Sequence, residues 1–108
     1  MILRVMIVED EDMIRNGLVK TLGCTVIGSA GDGKSGLEQI IERRPDVVIT
    51  DIRMPEMDGF EMLERALAVY RFHIIIFTSY AEFDYAQKAI SIHAYDYLLK
   101  PLDEKRLA

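Results

Sequence analysis

Residues 45–51 read Pro-Asp-Val-Val-Ile-Thr-Asp, and this short stretch decides the fold. Pro45 ends the helical pattern before it, because proline cannot donate a helical hydrogen bond. Residues 47–49 are apolar at every position, which predicts a strand buried on both faces. A strand of this kind is typical of a parallel sheet that helices cover on both sides. Asp51 then follows at the carboxyl end of the strand.

The same rhythm runs along the chain, since short apolar runs alternate with longer amphipathic stretches. The runs begin near Leu3, Thr25, Val47, His73 and Tyr95. The stretches between them predict helices whose apolar faces carry Met13, Ile14, Gly17, Leu18 and Leu22, then Leu37, Ile40 and Ile41, then Phe60, Leu63 and Leu67, and finally Tyr85, Ala89 and Ile90. Five βα units, and hence an α/β fold, are predicted.

Turn and cap residues support these helices. Asp58 with Glu61 predicts a capped start for the third helix, and Asp32 with Gly33 fits the loop that opens the second. The last of the five units is incomplete, because a fifth helix is expected to begin near Leu102 or Asp103 and the sequence stops at Ala108. A helix this short needs packing partners, so the chain is expected to be part of a longer protein or to have this face covered by a neighbouring copy.

Composition excludes several classes of protein. The 108 residues suffice for one domain, and a net charge of -5 argues against a surface that binds the phosphate backbone of nucleic acids. The single cysteine, Cys24, excludes an internal disulfide and fits a reducing compartment. The amino terminus lacks a basic leader and a membrane-spanning run, so a cytoplasmic location without membrane contact is expected.

The carboxyl ends of parallel strands meet at one sheet edge, and ligands bind there. This edge receives Glu9 and Asp10 after the first strand, Asp51 after the third, Thr78 after the fourth and Lys100 after the fifth. Two carboxylates about 4 Å apart repel by roughly 4 kcal/mol at an effective dielectric near 20. A hard cation such as Mg²⁺ relieves this repulsion. An aspartate beside Mg²⁺ can also attack phosphorus and form an acyl phosphate.

Four motifs occur in order at these strand ends. They are Val8-Glu9-Asp10-Glu11, Asp51-Ile52-Arg53-Met54-Pro55 with Asp58-Gly59, Phe77-Thr78-Ser79, and Tyr97-Leu98-Leu99-Lys100-Pro101. Together they closely resemble the receiver domain of two-component response regulators, over the whole chain. The resemblance implies a receiver domain over residues 1–108 with a flavodoxin-like, doubly wound sheet of five parallel strands in the order 2-1-3-4-5. It also implies a phosphorylation-activated signalling module that catalyses only its own phosphorylation and dephosphorylation.

The resemblance assigns a role to each residue of the metal and phosphorylation site. Asp51 is expected to accept a phosphoryl group from a phosphohistidine on a sensor histidine kinase. Asp10 and Asp51 are expected to bind Mg²⁺ directly and Glu9 through a water molecule. The backbone carbonyl of Arg53 completes the protein's share of the ligands.

The remaining assignments concern the phosphorylated state. Thr78 and Lys100 are expected to bind the phosphoryl oxygens, and Tyr97 to turn inward as a switch when Thr78 moves toward them. The resemblance also implies a cis peptide bond at Pro101, which would aim the lysine at the site.

Three departures from the usual pattern of the family occur, at four positions. Glu9 stands where aspartate is common. Arg53 and Tyr80, two residues beyond Asp51 and Thr78, occupy positions that tune hydrolysis of the acyl phosphate, and their bulk predicts slow hydrolysis. His93 stands where glycine is usual, which predicts a left-handed and strained residue after the fourth helix.

Similarity also bears on the parent protein. Residues 77–86 and 94–101 most resemble receivers joined to AraC-family helix-turn-helix domains, so the expected parent is a transcription regulator that binds DNA. The output surface is expected on the fourth helix, the fifth strand and the fifth helix. A homodimer through the face of the fourth helix and fifth strand is a further expectation.

Two other functions share parts of this pattern. An aspartate-nucleophile phosphatase also uses Mg²⁺ and an acyl phosphate, but it needs a second acid two residues after the nucleophile, where this chain has Arg53. A binding module that works without phosphorylation would keep the fold alone. It is disfavoured because each residue that phosphorylation needs is present.

Overall fold

The computed structural model describes residues 3–22 and 25–100. Five strands and four helices alternate in this part of the chain. They are β1 (Val5–Val8), α1 (Asp12–Leu22), β2 (Val26–Ala30), α2 (Gly33–Arg43), β3 (Val47–Thr50), α3 (Gly59–Leu67), β4 (His73–Thr78), α4 (Phe83–Ser91) and β5 (Asp96–Leu99). The predictions for Cys24, Pro101 and the fifth helix lie outside the described residues.

All five strands are parallel and form one sheet in the order β2-β1-β3-β4-β5. The predicted α/β fold and its strand order are therefore confirmed. β3 lies at the centre, where Ile49 pairs with Ile7 of β1 and Ile75 of β4. Every residue of β3 is buried, as its uninterrupted apolar run predicts for a strand covered on both faces.

Alternate residues of the strands enter two hydrophobic layers, because successive side chains point to opposite faces of a sheet. Met6, Val48 and Ile76 pack in the layer under α2, α3 and α4. Ile7 and Ile49 pack in the other layer, against α1. Both layers fix the strands in register, and the strand ends therefore occupy one edge.

The predicted apolar faces of three helices are too wide. Met13 is 89% exposed on α1, Ile41 is 36% exposed on α2 and Ile90 is 75% exposed on α4. Periodicity indicates which side of a helix faces the core but not how far the core extends around it.

The predicted helix starts are confirmed. The Asp32 carboxylate accepts a hydrogen bond from the Ser35 backbone N–H at 2.7 Å, and Asp58 accepts one from that of Glu61 at 2.8 Å. Such caps satisfy backbone N–H groups that a helix cannot pair internally. α2 ends at Arg43, and the left-handed Arg44 then leads to Pro45.

The longest described helices, α1 and α2, have 11 residues each, whereas about 20 are needed to cross a bilayer. None of the described helices can therefore span a membrane.

The predicted left-handed residue after α4 is also confirmed. His93 has a φ of 58° and follows the last turn of the helix. Its backbone N–H donates to the Ile90 carbonyl at 3.0 Å. A residue with a Cβ atom is strained in this conformation, since the Cβ approaches the following carbonyl oxygen.

We expect His93→Gly to raise the free energy of unfolding by about 1 kcal/mol, because it removes this strain at some entropic cost in the unfolded chain. Urea denaturation measures the change. The matched control is His93→Ala, which removes the imidazole but keeps the Cβ atom. A gain from alanine equal to the gain from glycine would contradict the explanation.

Candidate functional site

Three carboxylates converge at the carboxyl edge of the sheet. One oxygen from each of Glu9, Asp10 and Asp51 lies within 4.8 Å of the others. The pairing of β1 with β3 brings them together, because the Asp51 backbone N–H donates to the Val8 carbonyl at 3.0 Å. Glu9 and Asp51 are buried, whereas Asp10 is exposed. The cluster is thus open to solvent on one side.

Lys100 supplies the positive charge that this cluster needs. Its ammonium donates a hydrogen bond to Oδ2 of Asp51 at 2.9 Å and lies 2.6 Å from Oε1 of Glu9. Burial lowers the pKa of the Lys100 ammonium, but the interactions with Glu9 and Asp51 outweigh burial and the pKa is raised overall. Lys100 therefore stays charged between two buried carboxylates.

Glu9 is the least satisfied of the three acids. Its side chain is 1% exposed, and burial raises the pKa of its carboxyl group. Oε2 accepts a hydrogen bond from the Glu11 backbone N–H at 3.1 Å. Oε1 is buried and, among the residues that the structure describes, has the ion pair with Lys100 but no hydrogen bond of good geometry.

Asp51 is held by the loop between β3 and α3. Oδ1 accepts a hydrogen bond from the Ile52 backbone N–H at 2.7 Å. The Gly59 N–H donates to the Ile52 carbonyl at 2.7 Å and folds the loop back on itself. A Cβ atom on Gly59 would lie 2.1 Å from the Asp51 carbonyl oxygen. Glycine is therefore required here by close backbone contact, which explains the Asp58-Gly59 motif.

The donor set fits the magnesium ion that the sequence resemblance implies. Mg²⁺ prefers oxygen ligands and is bound by one or two carboxylates with water. Glu9, Asp10 and Asp51 would hold it, and the buried Oε1 atom of Glu9 has an ion pair with Lys100 but no hydrogen bond of good geometry among the described residues. Lys100 alone neutralises only part of the negative charge of the three carboxylates, and a divalent cation here would offset the remaining repulsion between them.

Thr78 and Tyr97 lie on the β4 and β5 side of the site. Thr78 is fully buried at the end of β4, and its hydroxyl oxygen accepts a hydrogen bond from the Tyr80 backbone N–H at 3.3 Å. The half-buried Tyr97 donates its hydroxyl proton to the Tyr80 carbonyl. Burial raises the pKa of the Tyr97 hydroxyl, which keeps this donor protonated at neutral pH.

Two arginines at the site have roles that sequence reasoning missed. Nη1 of Arg15 donates to the Glu9 carbonyl at 2.7 Å and so fixes the turn after β1. The Arg53 side chain extends to the start of α4 and binds Tyr85 and Glu82, at 2.8 and 2.7 Å. Its partners are about 30 positions away along the chain, so no local spacing could have indicated them.

The raised pKa of Glu9 has a consequence for stability. The pKa of Glu9 in the folded state lies above the ordinary 4.5. Just above pH 4.5, the carboxyl group is therefore ionised in most unfolded chains but still protonated in most folded ones. The ionisation of Glu9 thus lowers the stability of the folded state as pH rises. In metal-free buffer, we expect the stability of Glu9→Gln relative to the wild type to increase from about pH 4 to about pH 7.

Urea denaturation at several pH values measures this trend. The matched control is Glu11→Gln, which replaces an exposed acid two residues away. A difference between Glu9→Gln and the wild type that does not change with pH would contradict the explanation.

Comparisons with known proteins agree on one family. The family described as "Response regulator receiver domain" matches residues 5–108. The chain is 34% identical over 110 residues to the uncharacterized transcriptional regulatory protein YesN of Bacillus subtilis, covering 96% of this chain and 30% of that protein. It is 38% identical over 109 residues to the transcriptional regulatory protein BtsR of Escherichia coli K12, covering 97% of this chain and 45% of that protein. The chain thus spans less than half the length of these curated relatives.

Solved structures agree as well. The REC domain of AraT, a response regulator from Geobacillus stearothermophilus, superposes with a TM-score of 0.89 at 39% identity, covering 99% of this chain and 88% of that one. The response regulator domain of Thermotoga maritima CheB superposes with a TM-score of 0.85 at 28% identity, covering 96% and 82%.

Proposed function

This chain belongs to the receiver domains of two-component response regulators, and from that membership we propose that Asp51 accepts a phosphoryl group from the phosphohistidine of a sensor histidine kinase. The observation that carries the proposal is the convergence of Glu9, Asp10 and Asp51 within 4.8 Å beside the Lys100 ammonium. The domain is a signalling domain, and in this proposal it is the substrate of its own chemistry.

The transfer is a displacement at phosphorus. A carboxylate oxygen of Asp51 attacks the phosphorus atom, the new P–O bond forms, and the P–N bond to histidine breaks. The histidine nitrogen leaves with the electron pair of that bond. Asp10, Asp51 and the Arg53 carbonyl would hold Mg²⁺ directly and Glu9 through a water molecule, and the bound ion would neutralise charge on the phosphoryl oxygens. Lys100 lies 2.9 Å from Asp51 and contributes a second positive charge at the same place.

Modification of Asp51 would change the balance of contacts at the site. The Lys100 ammonium is free to move from the carboxylate to a phosphoryl oxygen, and the Thr78 hydroxyl supplies a further donor. In this proposal Thr78 and Tyr97 are the switch residues. Phosphorylation favours the conformer that binds the new charge better, which is a shift in population.

We expect Mg²⁺ with acetyl phosphate to add one phosphoryl group to the purified chain, and Asp51→Asn to abolish the addition. Intact mass spectrometry measures the adduct, and peptide mapping locates it. Asp84→Asn, which replaces an exposed aspartate on α4, is the matched control and retains the adduct. Failure of the wild type to form an adduct would contradict the proposal, and rapid turnover of a phosphomonoester would favour a phosphatase instead.

Arg53 and Tyr80 are proposed to slow hydrolysis of the acyl phosphate. The Arg53 guanidinium carbon lies 3.7 Å from the centre of the Tyr80 ring, so the two side chains form one stacked pair. We infer that this pair restricts the approach of water to phosphorus.

The same adduct tests this inference. We expect it to persist for minutes at room temperature and to decay about tenfold faster in the double variant Arg53→Ala, Tyr80→Ala. Loss of the mass increment with time gives the rate, with Arg65→Ala as the control for removal of an exposed arginine. Decay of the wild-type adduct within seconds would contradict the assignment.

The relatives suggest the parent protein and its partners. Several carry names of transcriptional regulatory proteins and extend well beyond the matched region. We propose that the parent of this chain is a cytoplasmic transcription regulator with a DNA-binding output domain, of the AraC-family type. A homodimer through α4 and β5 is part of this proposal, since Phe83, Ile90, Tyr95 and Leu99 are exposed there.

A further inference from the structure

The Arg53 side chain joins the phosphorylation loop to α4. Its Nε atom donates to the Tyr85 hydroxyl at 2.8 Å, and Nη2 forms an ion pair with Glu82 at 2.7 Å. The guanidinium also stacks on the Tyr80 ring, with a distance of 3.7 Å from its central carbon to the ring centre. One planar cation thus binds three side chains around the start of α4. The Arg53 main chain, in contrast, lies in the loop that follows Asp51.

The first turn of α4 depends on these contacts more than the other helix starts do. Asp32 and Asp58 cap α2 and α3 with their own side chains. Glu82 occupies the equivalent position of α4 and makes no side-chain capping bond, and its carboxylate binds Arg53.

All nine residues of α4 are described, and Ala89 is the one that is buried. Tyr85 also packs at the edge of the core, with its ring centre 6.0 Å from that of Phe60. α4 therefore has few core contacts and no side-chain cap.

Tyr80 connects the same contacts to the switch residues. Its backbone N–H donates to the Thr78 hydroxyl oxygen at 3.3 Å, and its carbonyl accepts the Tyr97 hydroxyl proton. Its ring carries the Arg53 guanidinium. A shift of Thr78 toward Asp51 would therefore displace Tyr80 and loosen the contact with Arg53.

We propose that Arg53 is a positioning residue that fastens the first turn of α4 to the phosphorylation loop and makes α4 respond to the state of Asp51. The fastening is a property of the chain alone, whereas the response rests on the proposed phosphorylation. A single exposed ion pair contributes little to stability. Here the guanidinium donates in its plane while its face stacks on a ring, and lysine cannot do both.

Hydrogen–deuterium exchange of the α4 amides, without metal or phosphodonor, tests the fastening. The most informative amide is that of Ala86, whose N–H donates to the Glu82 carbonyl at 3.1 Å and closes the first turn. Local opening of this turn exposes the amide to exchange, so its rate reports how firmly the turn is held. We expect about fivefold faster exchange in Arg53→Ala and an intermediate rate in Arg53→Lys.

Two further variants separate the fastening from general loss of stability. Glu82→Ala with Tyr85→Phe removes the partners on α4, leaves Arg53 in place, and is expected to match Arg53→Ala. Arg65→Ala removes an arginine that is also exposed and paired with a glutamate, Glu61 at 2.9 Å. We expect it to leave α4 exchange unchanged. Exchange in Arg53→Ala that equals the wild-type rate, or is matched by Arg65→Ala, would overturn the proposal.

Mg²⁺ with beryllofluoride, a mimic of the phosphoryl group on aspartate, tests the response. In the wild type we expect these additives to change α4 exchange, and in Glu82→Ala, Tyr85→Phe we expect at most half of that change. An equal response in both proteins would overturn the coupling assigned to Arg53. If the wild type neither responds nor forms an adduct with acetyl phosphate, the proposed function fails, and the first experiment still decides whether Arg53 fastens α4.

Discussion

The ion pairs of Lys100 with Glu9 and Asp51 are the constraint around which the carboxyl edge of this sheet is built. Three acids meet there, two of them buried, and the lysine ammonium touches both buried ones. Repulsion between the carboxylates is offset only in part, so the edge is arranged to receive more positive charge. Removing these charges from water costs free energy. The strands that hold them are packed on both faces, and this packing offsets the penalty.

Charge at the edge is coupled to the surface through the loop between β4 and α4. Tyr80 is the shared point, because its backbone contacts Thr78 and Tyr97 while its ring contacts Arg53. Each contact is modest, and together they give the first turn of α4 its anchor. An element that is held by a few exposed contacts can change position without disturbing the core. The buried site and the first turn of α4 thus have different kinds of stability.

The sequence predicted much of this arrangement for clear physical reasons. Short apolar runs such as residues 5–8 and 74–77 mark strands, and capping residues such as Asp32 and Asp58 mark helix starts. Parallel strands place their carboxyl ends together, so Glu9, Asp10, Asp51 and Lys100 could be assigned to one cluster before any coordinates. The exposure of Met13 and Ile90 could not be predicted, because the width of an apolar face depends on the neighbours that a helix meets.

Local chemistry therefore determined the order of the elements and the edge where the acids meet, whereas the left-handed backbone at His93 was expected from the resemblance to a family with glycine there. Tertiary structure alone decided which side chains complete that edge. Arg15 reaches the Glu9 carbonyl, and Arg53 turns away to Glu82 and Tyr85. Local spacing specifies where a side chain starts, but the partners of a long, flexible cation depend on groups that are distant along the chain and become neighbours only when the sheet has formed.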